Sequence, residues 1–255
     1  MVPEKRLLEK PKTRVTTKNG VTAMGSVLVT GSNRGLGLEW VKQYAGEGWR
    51  VFAACRHPLE AEELRALREH YPRISIHRLD VTRPDEVNAL AVELRHEPID
   101  ILVNNAGVYL EKYEDALLGG MSYDAWEYTF RVNTLGAIRM IQAFLGHLLR
   151  GEKKLIAVIS THMASIADIT APGAYYYRST KAALNAAVKG LSHELRPKGI
   201  GVLLLHPGWV RTRMGGDQAP LLPPESVRGM RRLLGEFTMD QSGRFVRYDG
   251  VDMPW

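Results

Sequence analysis

The amino-acid sequence predicts an α/β domain, a doubly wound and mostly parallel seven-stranded sheet with helices on both faces. Three observations predict it. Short β-branched apolar runs alternate with longer stretches of helical periodicity. A glycine-rich turn joins the first run to the first helix. No internal repeat or low-complexity linker divides the 255 residues, which suffice for one sizeable core.

The elements follow in order. Ser26–Thr30 is the first strand and Leu36–Gly48 the first helix. Arg50–Cys55 is the second strand, followed by a helix over Pro58–Tyr71. Ile74–Val81 is the third strand, and a helix opens with proline in its first turn over Pro84–Arg95. Ile99–Asn104 is the fourth strand, and one long helix is expected over Ser122–Leu149. Leu155–Ser160, the helix Tyr175–Leu195 and Gly201–Leu205 come next. Pro224–Leu234 reads as a helix and Arg244–Val246 as an edge strand. Right-handed crossovers put every strand's carboxyl end on one side, where ligands bind in such sheets. The loops after Thr30, Cys55, Asp80, Asn104, Ser160 and Leu205 should therefore converge on one cleft.

Composition excludes several functions. The net charge is +6, but a share of the excess lies in Lys5, Arg6, Lys10, Lys12, Arg14 and Lys18. The rest is scattered and lacks the basic-aromatic interleaving of RNA binders, so no nucleic-acid partner is expected. Runs such as Gly201–Leu205 are far too short to span a bilayer. Residues 1–23 hold no apolar signal region and read as a disordered basic tail, with the domain occupying 24–255. The lone Cys55 rules out an internal disulfide and suits a reducing compartment, so a cytoplasmic location is expected. The histidines show no zinc spacing, and no metal is expected.

The glycine turn reads Gly31-Ser32-Asn33-Arg34-Gly35-Leu36-Gly37, between a strand and a helix. Glycines there let the backbone approach a pyrophosphate, and the helix N-terminus offers free N–H groups and a positive dipole. Tyr177 and Lys181 lie four apart on a predicted helix and so share a face. A free phenol has a pKa near ~10, and a nearby ammonium lowers it, which would let Tyr177 exchange a proton with a carbonyl oxygen.

The spacing Gly-x-x-x-Gly-x-Gly after Thr30 resembles the short-chain dehydrogenase/reductase family. Asn104-Asn105-Ala106-Gly107, Tyr177-Arg178-Ser179-Thr180-Lys181 and His206-Pro207-Gly208-Trp209-Val210-Arg211-Thr212 resemble its next motifs, in the right order. Within that family the chain looks most like the C-factor/sniffer type of carbonyl reductase. The resemblance covers about Met24 to Trp255 and implies a single Rossmann-fold domain. It implies Tyr177 as acid, Lys181 on the nicotinamide ribose, and Asn133 supporting a relay water near the lysine. It places Asp80 and Val81 beside the adenine, and Asn105, Ala106 and Gly107 along the cofactor. It has Pro207, Gly208, Val210 and Thr212 hold the carboxamide. A helix-mediated homodimer is a family expectation.

The family usually carries a serine at the end of the fifth strand. Here the chain reads Ile159-Ser160-Thr161-His162, and alignment on Ala164-Ser165-Ile166 puts Thr161 there. Strand side chains alternate, so only one of Ser160 and Thr161 points into the cleft. His162 reads as an exposed loop histidine. The segment Ala54-Cys55-Arg56-His57 lacks the acid that binds a ribose 2′-OH, and Arg56 with Arg34 suits a 2′-phosphate. NADP(H) is the expected cofactor and a ketone or aldehyde the expected small-molecule substrate. Walls over Val108–Gly120 and Arg211–Pro224, with Tyr109, Leu110, Trp209, Met214 and Leu221, suggest a partly apolar one. Alcohol oxidation, or an NADPH-binding scaffold that has lost catalysis, are the alternatives.

Overall fold

The computed structural model of the protein describes residues 25–111 and 117–255. The tail expected over residues 1–23, and residues 112–116 of the expected Val108–Gly120 wall, lie outside the described residues.

Seven strands form one sheet: β1 (Ser26–Thr30), β2 (Arg50–Cys55), β3 (Ile74–Arg78), β4 (Ile101–Asn104), β5 (Leu155–Ile159), β6 (Gly201–His206) and β7 (Arg244–Arg247). Their order is β3-β2-β1-β4-β5-β6-β7. Every neighbouring pair is parallel, so the sheet is wholly and not just mostly parallel. The strands are apolar on both faces because both faces are covered. Leu28, Phe52, Leu102, Ile156 and Leu204 pack on one side with Met140, Phe144, Leu184 and Val188. Their neighbours Val27, Val51, Ile101, Leu203 and Leu205 pack on the other with Trp40, Val41, Leu64 and Met230.

Most helices lie where the periodicity predicts them. They are α1 (Gly35–Gly46), α2 (Glu62–His70), α3 (Pro84–Glu93), α4 (Tyr123–Phe130), α5 (Ala137–Ala143), α6 (Leu145–Arg150), α7 (Tyr175–Leu195) and α8 (Pro223–Gly235). Among the described residues, no helix is long and apolar enough to cross a membrane.

Four expectations need correction. The helix expected over Ser122–Leu149 is divided into α4, a π-helical turn over Arg131–Gly136, α5 and α6. The π turn carries one extra residue per turn, and Asn133 and Thr134 within it are buried. The helix expected from Pro58 opens instead as a 3-10 turn, Pro58–Glu60, and only Glu62 starts α2. β3 stops at Arg78 because the Asp80 carboxylate accepts from the Thr82 N–H at 2.9 Å and the Thr82 hydroxyl at 2.7 Å, turning the chain. β4 starts at Ile101, two residues late, because the Ile99 N–H donates to the His147 carbonyl at 3.1 Å, outside the sheet.

Candidate active site

The turns leaving the strands' carboxyl ends enclose one cleft of about 970 Å³. Its floor begins at the glycine turn. Gly31 has φ +65°, a left-handed conformation that favours glycine. A Cβ at Gly37 would overlap the Gly31 carbonyl oxygen, so α1 can start this close to the turn only with glycine there. α1 has no acidic residue in its first turn, which leaves its positive end unneutralised toward the cleft. Gly31, Asn33, Arg34, Gly35 and Leu36 line this end. Ser32 does not; it is fully buried and its hydroxyl donates to the Ala54 carbonyl at 3.0 Å, tying the turn to β2.

Thr30 and Asn105 join this floor to the next turn. The Thr30 hydroxyl accepts from the N–H groups of Asn105 and Ala106, each at 3.0 Å. The Asn105 amide donates to the Thr30 carbonyl at 2.9 Å and the Gly31 carbonyl at 3.2 Å. Ala106 and Gly107 then form the cleft wall, with Asp80 and Val81 beyond them.

Arg34 and Arg56 are both exposed on the rim. Arg56 donates to the Tyr128 hydroxyl at 3.0 Å, and Arg34 makes no side-chain bond among the described residues. The expectation of no carboxylate in reach needs correction. The 3-10 turn after β2 brings Glu60 onto the cleft wall as well.

At the other end stand the groups with chemistry to offer. Tyr177 and Lys181 belong to the buried stripe of α7 that continues through Leu184, Val188 and Leu195. Both also line the cleft. Burial pulls the Lys181 ammonium down to about 8, and it donates to the Ile159 carbonyl at 2.9 Å. Tyr177 departs from expectation. Its phenol lies above the ordinary value, pushed up chiefly by burial and then by Tyr109, with a Thr161 hydrogen bond pulling the other way. The expected lowering by the lysine does not enter; desolvation of a phenolate in this pocket sets the direction. The Tyr109 ring stacks on Tyr177, with centroids 4.6 Å apart, and Met214 Sδ lies 3.9 Å from the Tyr177 hydroxyl.

Ser160 and Thr161 point to different neighbours. The Ser160 hydroxyl donates to Asn185 Oδ1 at 2.6 Å, inside the protein. The Thr161 hydroxyl lies beside Tyr177 and accepts from the Met163 N–H at 3.2 Å, but the cleft lining takes in Ser160 and not Thr161, against expectation. Asn133 sits in the π turn with its amide doubly paired to Val108, accepting at 2.8 Å and donating at 2.9 Å. It also donates to the Thr180 hydroxyl at 3.2 Å, so it clasps the loop after β4 to α7. Pro207 and Thr212 line the cleft opposite; Gly208 stands behind them against Leu221 and Tyr248, and Val210 is buried in a bridge to Leu221. His162 is exposed, as expected, and its ring lies 5.1 Å from that of His206, which burial and His162 push down to about 3.

Glu111 went unnoticed in the sequence. It is buried, and its Oε1 accepts from the Tyr177 N–H at 3.2 Å. No local pattern signals this, since the contact joins residues 66 apart.

A family model of short-chain dehydrogenases matches residues 25–220. The C-signal protein of Myxococcus xanthus is 43% identical over 169 residues, 66% of this chain and 100% of that one. The solved NADPH-bound carbonyl reductase from chicken fatty liver is 33% identical with a TM-score of 0.83, over 91% of this chain and 100% of its own. The carbonyl reductase Sniffer of D. melanogaster matches equally, with TM-score 0.83, 33% identity and coverage of 91% and 100%. Four motifs at the mouth of one cleft, the all-parallel sheet and a match across residues 25–220 make this chain an oxidoreductase of the short-chain dehydrogenase family.

Proposed function

We propose that the protein reduces a ketone or aldehyde with NADPH, with Tyr177 as the proton donor. The observation that carries this is the meeting of the Tyr177 ring and the Lys181 side chain at one end of a nucleotide-sized cleft, with Thr161 beside Tyr177. The cleft residues fit the cofactor. The glycine turn lining the cleft at Gly31, Gly35 and Gly37, and the bare N-terminus of α1, suit a pyrophosphate. Arg34 and Arg56 suit a 2′-phosphate, and the chicken liver relative is NADPH-bound. Asp80, Val81, Asn105, Ala106 and Gly107 would border the adenosine and ribose. Pro207, Gly208, Val210 and Thr212 would shape the carboxamide end.

When bound, NADPH supplies hydride to the carbonyl carbon. Tyr177 gives its hydroxyl proton to the carbonyl oxygen as that oxygen gains charge. A phenol kept protonated by burial suits this task, because a developing alkoxide is the stronger base. Thr161 donates a hydrogen bond to the same oxygen and orients it. Lys181, near 8, holds a proton at neutral pH and lines the cleft, where it would meet the nicotinamide ribose. Asn133 keeps Gly107 and Val108 against α7, so the lysine stays beside the cleft. Tyr109, Leu110 and Met214 give the carbonyl's flanking groups an apolar wall. Buried Cys55, without a disulfide partner, supports a reducing compartment, the cytoplasm.

The test is Tyr177→Phe with NADPH and a panel of aldehydes, ketones and quinones. Turnover should fall 10²- to 10⁴-fold, the usual contribution of a placed acid, with NADPH affinity unchanged. Retention of more than about a tenth of kcat sinks the assignment.

A further inference from the structure

Helix α7 carries both Tyr177 and Lys181, yet its own start is poorly capped. Ala174, the residue before it, has a left-handed φ of 55° and gives no side-chain cap. The first N–H groups of a helix have no partner within it and need an acceptor from elsewhere. That acceptor comes from the loop after β4. Glu111 is 4% exposed; its carboxyl takes the Tyr177 N–H at 3.2 Å and lies beside the Tyr176 N–H. Its second oxygen, Oε2, is buried without a hydrogen-bond partner among the described residues. Burial pushes this carboxyl up, and the two N–H groups pull it back. A fold does not hide half a carboxyl group at random, because a buried bare acceptor is costly.

The position explains the cost. Two residues before Glu111 in the same loop, the Tyr109 ring stacks on Tyr177 at 4.6 Å with the planes 23° apart. One carboxyl therefore joins the backbone of Tyr177 to the strand of loop that covers the Tyr177 ring. Asn133 makes the matching clasp one step earlier, at Val108.

We propose that Glu111 is a positioning residue for proton transfer: its carboxyl locks the first turn of α7 to the Tyr109 loop and so holds the Tyr177 hydroxyl in one orientation. This rests on the reading of Tyr177 as the donor. Glu111 touches no reacting atom and acts only through Tyr177 and Tyr109.

The experiment compares Glu111→Leu, which keeps bulk and removes the acceptor, with Glu111→Gln, which keeps a carbonyl oxygen for the N–H groups. Glu111→Leu should lower kcat about 10- to 100-fold, the scale of an ångström-sized misplacement, with KM and the NADPH dissociation constant within about threefold. Glu111→Gln should recover at least about a third of wild-type kcat. If Glu111→Leu does not fold, Glu111→Ala takes its place. Wild-type kcat in the Leu variant, or equal damage in both variants, overturns the proposal. Amide hydrogen exchange at Tyr176 and Tyr177 gives a readout free of turnover. It should accelerate at least about tenfold in the Leu variant while Leu184 and Val188 stay protected. Unchanged exchange also overturns the proposal. Tyr177→Phe is run alongside, so failure of the donor assignment shows in that variant and failure of the Glu111 role shows in the exchange.

Discussion

Ser160 and Thr161 are adjacent hydroxyls at the end of β5, and exchanging either one should produce opposite damage. Thr161→Val keeps the shape and removes the hydroxyl beside Tyr177. One lost donor to a developing oxyanion costs on the order of 10²-fold in kcat, about 2.7 kcal/mol. The same change deletes the acceptor for the Met163 N–H, a cap contact of about 1 kcal/mol in stability. Ser160→Ala breaks the 2.6 Å bond to Asn185, whose Nδ2 already has no partner. That leaves a wholly unsatisfied buried amide and costs about 1–3 kcal/mol of stability. In a domain of this size each kcal/mol moves Tm by about 2–4 °C. Thr161→Val should therefore lose turnover with a small drop in Tm, and Ser160→Ala should lose several degrees with kcat nearly intact. Thr161→Ser should keep or raise kcat, since the hydroxyl stays and a methyl group leaves. Steady-state kinetics with one good carbonyl substrate and thermal melts on the three variants decide it. A crippled Ser160→Ala beside a wild-type Thr161→Val would show that the active hydroxyl is Ser160.

Other expectations follow from the same cleft. Arg56→Asp should weaken NADPH about 10- to 100-fold, the loss of a charge-assisted bond, and NADH far less; an unchanged ratio of dissociation constants would mean that Arg56 does not meet the 2′-phosphate. Lys181 sits at about 8 in the fold against an ordinary 10.5, so the native state binds fewer protons in that window and stability rises as pH climbs through it. The deficit at neutral pH is about 3 kcal/mol, so Lys181→Met should melt higher than wild type at pH 7 and lose that advantage by about pH 10.5. A pH-independent difference in Tm would refute this. Gly37→Ala would drive a methyl group into the Gly31 carbonyl and should cost about 1–3 kcal/mol along with most NADPH affinity; a normal dissociation constant would show that the turn is not where the pyrophosphate binds.

Local signals carried the fold and the outline of the site. Ser26–Thr30 and the following glycines mark a strand and a turn through their own propensities, and the Tyr177–Lys181 spacing needs only a helix to be meaningful. What escaped depends on partners far along the chain. The π turn over Arg131–Gly136 turns Asn133 toward Val108 and Thr180, 25 and 47 residues away. Glu60 reaches the cleft because the chain after Cys55 makes a 3-10 turn before α2, a half-turn that helical periodicity does not distinguish. The phenol of Tyr177 rises instead of falling because its burial under Tyr109 and Met214 is a tertiary property, invisible to spacing. Glu111 has no sequence signature at all; a lone loop carboxylate gives no sign of the helix end it will meet.

The strand order also sets a timetable for the chain as it is made. β1 pairs with β2, which follows closely, and on its other edge with β4. Roughly 70 residues separate Thr30 from Ile101, about 4–14 s of synthesis at ordinary ribosomal speeds. Over that interval β1, β2 and β3 can assemble as a three-stranded sheet whose open edge is the Ser26–Thr30 segment, apolar at Val27, Leu28 and Val29. Such an edge invites pairing with another nascent chain. The strand that anchors the phosphate turn is thus also the one most in need of a chaperone, and a ribosome stalled before Ile101 should yield aggregating chains where one stalled well past Asn104 yields soluble ones.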